Sequence, residues 1–279
     1  MLLIWQKVMS DMATLSKQIV KYIALLLGML SVSFNVNAAE KNYLEENYYE
    51  GGVKYHDLTA GYPSWKEAYA KGSWRQNADN VWDWEVLGSS RFNASGVSVT
   101  GGVTRTLNED WYGSLHLTTS DGVFFFPRFR VDAFLNRKYL DEGNLVGTYG
   151  LFYEDSGTVN EERGIYLGAS YYFSSPWILE AGVKRIENSP GPEISTRYKI
   201  AVTHGRAFDQ YLIAEVDFGN EAYQYVAATT SIVDVQSIVY TLTWRKWIKK
   251  DWGINLVGEY YNSDTYDRTG VAFGVFKHF

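Results

Sequence analysis

The chain has 279 residues, a formal net charge of −6 and no cysteine, which excludes a disulfide framework and any thiolate metal centre. Aromatic residues make up 16% of it, with 22 Tyr, 14 Phe and 10 Trp, yet mean hydropathy is −0.24. A helical membrane protein needs apolar runs of about 20 residues, and none follows residue 40. There is no basic run to suit nucleic acid and no glycine-rich phosphate loop, so neither a nucleic-acid partner nor a cofactor is expected.

The N-terminus reads as an address. Lys17 and Lys21 precede the apolar run 22–32, and Val36-Asn37-Ala38 offers small residues for cleavage. Met9 and Met12 are alternative starts. Residues 1–38 are therefore expected to be a signal peptide. Residues 39–54, acidic at Glu40, Glu45, Glu46 and Glu50, are expected to be a short periplasmic lead-in, and 55–279 a single β domain.

From there the chain runs in segments of period two, the signature of strands with two unlike faces. In 81–87, Trp82, Trp84 and Val86 face one way and Asp83 and Glu85 the other. Val97, Val99 and Val103 oppose Ser98, Thr100 and Thr104. Phe129, Val131, Ala133 and Leu135 oppose Arg128, Arg130, Asp132 and Asn136, and Ile165, Leu167 and Ala169 oppose Gly168 and Ser170. Leu179, Ala181 and Val183 oppose Glu180 and Lys184; Tyr198, Ile200 and Val202 oppose Arg197 and Lys199. Leu212, Ala214, Val216 and Phe218 oppose Glu215 and Asp217, and Tyr240, Leu242 and Trp244 oppose Thr241 and Thr243. Aromatic-rich apolar faces against charged ones suit a sheet that shows lipid on alternate residues.

Turn lengths support the same class. Breaks at 140–144, 174–177, 205–209 and 246–251 read as short, and those at 155–163, 186–194, 219–234 and 262–269 as long. That alternation predicts an up-and-down antiparallel transmembrane β-barrel with tight periplasmic turns and longer outer loops. About fourteen segments fit, or roughly twelve if two of the weak early ones (55–62, 65–75, 111–119) merge. The last segment, 270–279, puts Val271, Phe273, Val275 and Phe279 on one face and ends on an aromatic residue. Phe273, Val275 and Phe279 are the expected signal to the barrel assembly machinery, and the expected location is the outer membrane of a Gram-negative bacterium, in contact with lipid and lipopolysaccharide.

Leu58-Thr-Ala-Gly-Tyr62, Ser90-Arg-Phe92, Phe126-Pro-Arg128 and the terminal Lys277-His-Phe279 together resemble the YaiO-type outer-membrane β-barrel family over roughly residues 56–279. The resemblance implies a membrane barrel and, through similarity to barrels of surface-glycan export, transport of a saccharide.

The candidate lumen residues are Arg128, Arg130, Asp132, Glu180, Lys184, Arg197, Lys199, Glu215 and Asp217. Their arginines and Lys199 either form a positive stretch that attracts anions or pair with the carboxylates on neighbouring strands. The tyrosines of 223–225 and 260–266 are candidate sugar platforms. Long acidic outer loops (Glu154, Asp155, Glu161, Glu162) are compatible with a structural or receptor role. Of the four histidines, His116 shares a face with Ser114 and Thr118, but a third, orienting group is not evident. His56 carries no assigned role, and His204 and His278 are expected at the periplasmic rim. No enzyme activity and no metal site are expected; the reading is a channel or export conduit for a hydrophilic solute.

Overall fold

The computed structural model describes residues 47–156, 161–189, 193–227 and 230–279. The expected signal segment and residues 39–46 of the lead-in lie outside the described residues.

Fourteen strands follow one another: β1 (Tyr48–Leu58), β2 (Trp65–Arg75), β3 (Asn80–Arg91), β4 (Ala94–Thr106), β5 (Trp111–Ser120), β6 (Phe129–Tyr139) and β7 (Leu145–Asp155), then β8 (Glu161–Tyr172), β9 (Trp177–Ser189), β10 (Ile194–Arg206), β11 (Gln210–Ala227), β12 (Thr230–Trp247), β13 (Trp252–Ser263) and β14 (Arg268–His278). Each pairs antiparallel with its neighbour in sequence, and β14 pairs with β1 from Tyr48↔His278 to Leu58↔Arg268. In hydrocarbon every backbone N–H and C=O needs a partner, and closing the sheet leaves no edge unpaired. The first and last described residues meet at one end, here the near end, where the Phe279 N–H donates to the Asn47 carbonyl at 3.0 Å.

The two faces separate by chemistry. Outward side chains are apolar and exposed, among them Leu117, Leu151, Leu167, Ile200, Leu242 and Val271. Aromatic residues border this band: Tyr49, Trp82, Trp177 and Trp244 toward the near end, and Tyr55, Phe129, Tyr153 and Tyr260 toward the far end. Amphipathic rings collect at that depth because one edge is solvated while the body stays in hydrocarbon. Phe273, Val275 and Phe279 all lie on the outward face and are exposed.

Three features depart from the expected layout. First, β1 begins at Tyr48, so residues 48–54 belong to the wall and not to a lead-in. Glu50 read as a solvated acid, and Gly51-Gly52 broke the visible alternation, although the backbone pairs with β2 and β14 throughout. Second, the weak segments 65–75 and 111–119 are full strands, β2 and β5, which makes the count fourteen and not twelve. Third, the long breaks are mostly strand. The expected loop 219–234 is the far part of a hairpin in which β11 and β12 each run 18 residues and pair out to Ala227↔Thr230. Connection 156–160 is no longer than 140–144. Above the lipid the outward residues no longer need to be apolar, so period two disappears from the sequence while hydrogen-bonded pairing continues.

Candidate functional site

The inner wall carries most of the charge, and contacts between non-adjacent strands define it. At the near end Glu50 of β1 is fully buried. Its carboxylate accepts hydrogen bonds from Arg245 Nη1 of β12 (2.6 Å), Tyr69 Oη of β2 (2.8 Å) and Asn255 Nδ2 of β13 (3.2 Å), with Lys71 Nζ at 3.6 Å. A buried carboxylate is tolerable only when it is paired and hydrogen-bonded, and here three other strands supply the donors. Gly52 and Gly274 make the room: a Cβ at Gly52 would fall 2.6 Å from Tyr69 Oη, and one at Gly274 would fall 3.1 Å from Glu50 Oε1. Below this bridge the Arg245 guanidinium lies 3.6 Å from the Phe276 ring centre, and Trp247, Phe276, His278 and Phe208 stack against one another.

Above the bridge sits a cavity of about 390 Å³ lined by Tyr69, Glu85, Thr243, Arg245 and Asn255. A second, of about 700 Å³, opens toward the far end. Lys54, His56 and Glu259 line both, so the two stack along the barrel. The wall of the upper cavity at β14–β3 is held by Trp65, whose ring lies 4.5 Å from the Arg268 guanidinium and 4.7 Å from that of Arg91. Arg268 is in turn fixed by Glu259 (2.7 Å), and Arg91 by Glu67.

Most candidate residues of the opposite wall fall into ion pairs, Lys184 and Glu180 excepted. Arg130 clasps Asp132 with two hydrogen bonds (2.6 and 2.7 Å) and gives a third to Glu154 (2.6 Å). Arg197 binds Asp217 (2.6 Å), Glu221 (3.2 Å) and Ser237 (2.8 Å), and Lys199 binds Glu215 at 2.7 Å. Lys184 lies 4.1 Å over the Phe152 ring, and Glu180 accepts from Ser170 Oγ at 3.4 Å. Of the two options for these bases, pairing is the one the geometry displays, not a bare positive stretch. Arg128 is not in the lumen. It precedes β6 at the far rim, its side chain is 65% exposed, and it pairs with Asp155. Glu154 and Glu162, expected in an outer loop, line the upper cavity instead.

His116 Nε2 lies 3.3 Å from Asp83 Oδ1, two strands away. The intervening residue is Gly102, where a Cβ would come within 2.7 Å of His116 Nε2. The partner of this imidazole is thus an aspartate and not Ser114. His204 faces outward against Trp177, ring centres 4.4 Å apart, and His278 is buried in the near-end cluster. Among the described residues no group of three His, Asp or Glu side chains has the spacing to hold a metal ion.

The expected sugar platforms are divided. Tyr261 and Tyr266 are buried, with ring centres 5.4 Å apart and both hydroxyls accepting from Gln224 Nε2. Tyr266 lies in the loop between β13 and β14, and burial pushes its phenol above the usual range. Tyr223 and Tyr225 line the upper cavity. Sequence reasoning missed Glu50, Arg245, Tyr69 and Phe276, the residues that close the near end. The detectable signal was a polar set at Tyr48, Glu50, Lys54 and His56, interrupted by glycine.

Among solved structures, the fold is similar to the COG4313 outer membrane channel from Pseudomonas putida F1, with a TM-score of 0.50 at 9% identity, covering 89% of this chain and 100% of that one. It is likewise similar to the outer membrane protein Omp33 of Acinetobacter baumannii, with a TM-score of 0.51 at 9% identity, covering 84% and 99%. At such identity the likeness is one of fold. No curated protein matches by sequence. The family model of the YaiO membrane beta barrel domain matches residues 46–224, which begins just before β1 and runs into β11. This chain is an outer-membrane β-barrel and belongs to the YaiO membrane beta barrel domain family.

Proposed function

We propose that the barrel is a conduit for a hydrophilic solute, with a surface saccharide as the solute class. The observation that carries this reading is the pair of stacked cavities, about 390 and 700 Å³, both lined by Lys54, His56 and Glu259. A barrel of this strand number lies between those small enough to fill with side chains and those wide enough for an aqueous channel. Here the lumen is filled at the near end by the Glu50–Arg245 bridge and its aromatic floor, and open above it. Tyr223, Gln224 and Tyr225 beside Glu221 and Arg197 give the upper cavity hydroxyl, amide and charged groups suited to a polyhydroxylated chain. Asp83 orients His116, but among the described residues no serine is hydrogen-bonded to that imidazole, so no nucleophile–base pair supports a hydrolase.

The same bridge supports a second reading, a non-conducting structural barrel. Single-channel recording of the purified protein in a planar bilayer separates the two. A conduit gives discrete conductance steps that an oligosaccharide interrupts; persistent silence of correctly folded protein excludes it.

A further inference from the structure

The charges of the lumen do not balance: among the described residues three inner-wall carboxylates stand outside any ion pair, against one inner-wall lysine, Lys184. Among the described residues, the arginines of the inner wall are each matched to carboxylate, and Arg130 and Arg197 are each matched to two. Lys54, Lys199 and Lys71 are matched as well, to Glu67, Glu215 and Glu50, while Lys184 lies over the Phe152 ring and closes no ion pair. Three carboxylates on the same wall close no ion pair: Glu162 in the upper cavity, which shares the field of Lys184, Glu85 in the lower one, opposite Lys71 in the β2–β3 register, and Glu180, whose contact is the Ser170 hydroxyl. They are spread from the far end to the near third of the barrel, on β8, β3 and β9.

A paired guanidinium presents little net field to a passing ion, because its carboxylate sits within 3 Å and cancels it beyond that distance. An unpaired carboxylate in a narrow polar lumen keeps its field, and rings of such groups are how cation channels exclude anions. We infer that the lumen admits cations in preference to anions, and that Glu162, Glu180 and Glu85 set this preference. The inference rests on the conduit reading and sharpens it: the favoured solutes are cationic or neutral, and polyanionic ones are disfavoured.

The test is the reversal potential of the full chain, extracted from outer membranes, across a planar bilayer with unequal potassium chloride on the two sides. The expected result is a potential of the sign that marks potassium as the more permeant ion. Replacing all three carboxylates (Glu85→Gln, Glu162→Gln, Glu180→Gln) should lower the cation-to-anion permeability ratio several-fold. The variant Arg130→Gln frees Asp132 and Glu154 and should raise it, which keeps the test alive if the triple variant does not fold. Chloride preference in the unaltered protein, or a ratio that neither change moves, overturns the inference while leaving a conduit in place. A silent membrane removes the conduit and the preference together.

Discussion

Arg245 reaches from β12 over β13 and β14 to place Nη1 2.6 Å from Oε2 of Glu50 on β1. The carboxylate is fully buried, so removing the arginine leaves a charge with one strong partner fewer in a low-dielectric floor. The expected cost of Arg245→Ala is about 3–5 kcal/mol, read as an earlier loss of the compact band when the protein is heated in detergent before electrophoresis. The paired change Glu50→Gln with Arg245→Met removes both charges and should cost much less. Arg245→Ala takes a long side chain out of the near-end floor, so the conduit reading expects larger conductance steps from it, whereas the paired change keeps comparable bulk there and should leave the steps closer to those of the unaltered protein.

Face assignment yields a sharper contrast. Leu242 is 52% exposed on the outward face and Thr243, its neighbour, lines the lower cavity. An arginine at 242 enters hydrocarbon and should cost about 2–4 kcal/mol, whereas one at 243 enters a polar lumen and should cost far less. Denaturant titration of refolding into lipid vesicles measures the difference; equal costs would contradict this face assignment, and a higher cost at 243 would reverse it.

Arg128 and Arg197 were both candidate lumen residues, and they should behave differently. Arg128 is exposed at the rim, so Arg128→Ala should change stability by about 0–1 kcal/mol. Arg197 holds Asp217, Glu221 and Ser237 from an inner position, and its removal should cost about 1.5–3 kcal/mol. The same thermal assay ranks them, and a larger effect at Arg128 would place the lumen on the wrong side.

Tyr266 supplies a pH test at the far end. Its phenol ionises near 10 in an unfolded chain and above that in the folded loop, because burial disfavours the phenolate. The unfolded state therefore gives up the proton first as pH rises. The stability this residue contributes is complete below about pH 10 and declines above it. Tyr266→Phe should flatten that part of the stability-against-pH curve, followed by tryptophan fluorescence of Trp65, whose ring centre lies 6.5 Å away.

What the sequence displays depends on which face must be apolar. Leu179, Ala181 and Val183 reveal β9 because hydrocarbon tolerates nothing else at those positions, and the polar partners Glu180 and Lys184 then mark the lumen. The far parts of β11 and β12 stand beyond lipid, so neither face is constrained and the pairing of Tyr223 with Val233 leaves no trace in the pattern. Glu50 was hidden for a different reason. An acid in an acidic stretch looks solvated, and only the register of β1 against β14 and β2 brings it under Tyr69. The partners of Arg130 and Arg197 were illegible likewise: sequence gives the face of a strand residue, while stagger between strands decides which carboxylate it meets.

The bridge at Glu50 joins residues separated by 195 positions at Arg245 and by 205 at Asn255. Contacts of such span are the last to form in a folding chain, since the intervening loop must be ordered before they repay its closure. Glu50 therefore remains hydrated until β14 has docked on β1, and its desolvation marks the moment of sealing. A chain that closed with β1 slipped by one residue would turn Glu50 toward lipid and Tyr49 toward the lumen, since side chains alternate between faces. The buried carboxylate thus works as a register check: it penalises a misaligned seam at the one joint that sequential hairpin formation cannot align.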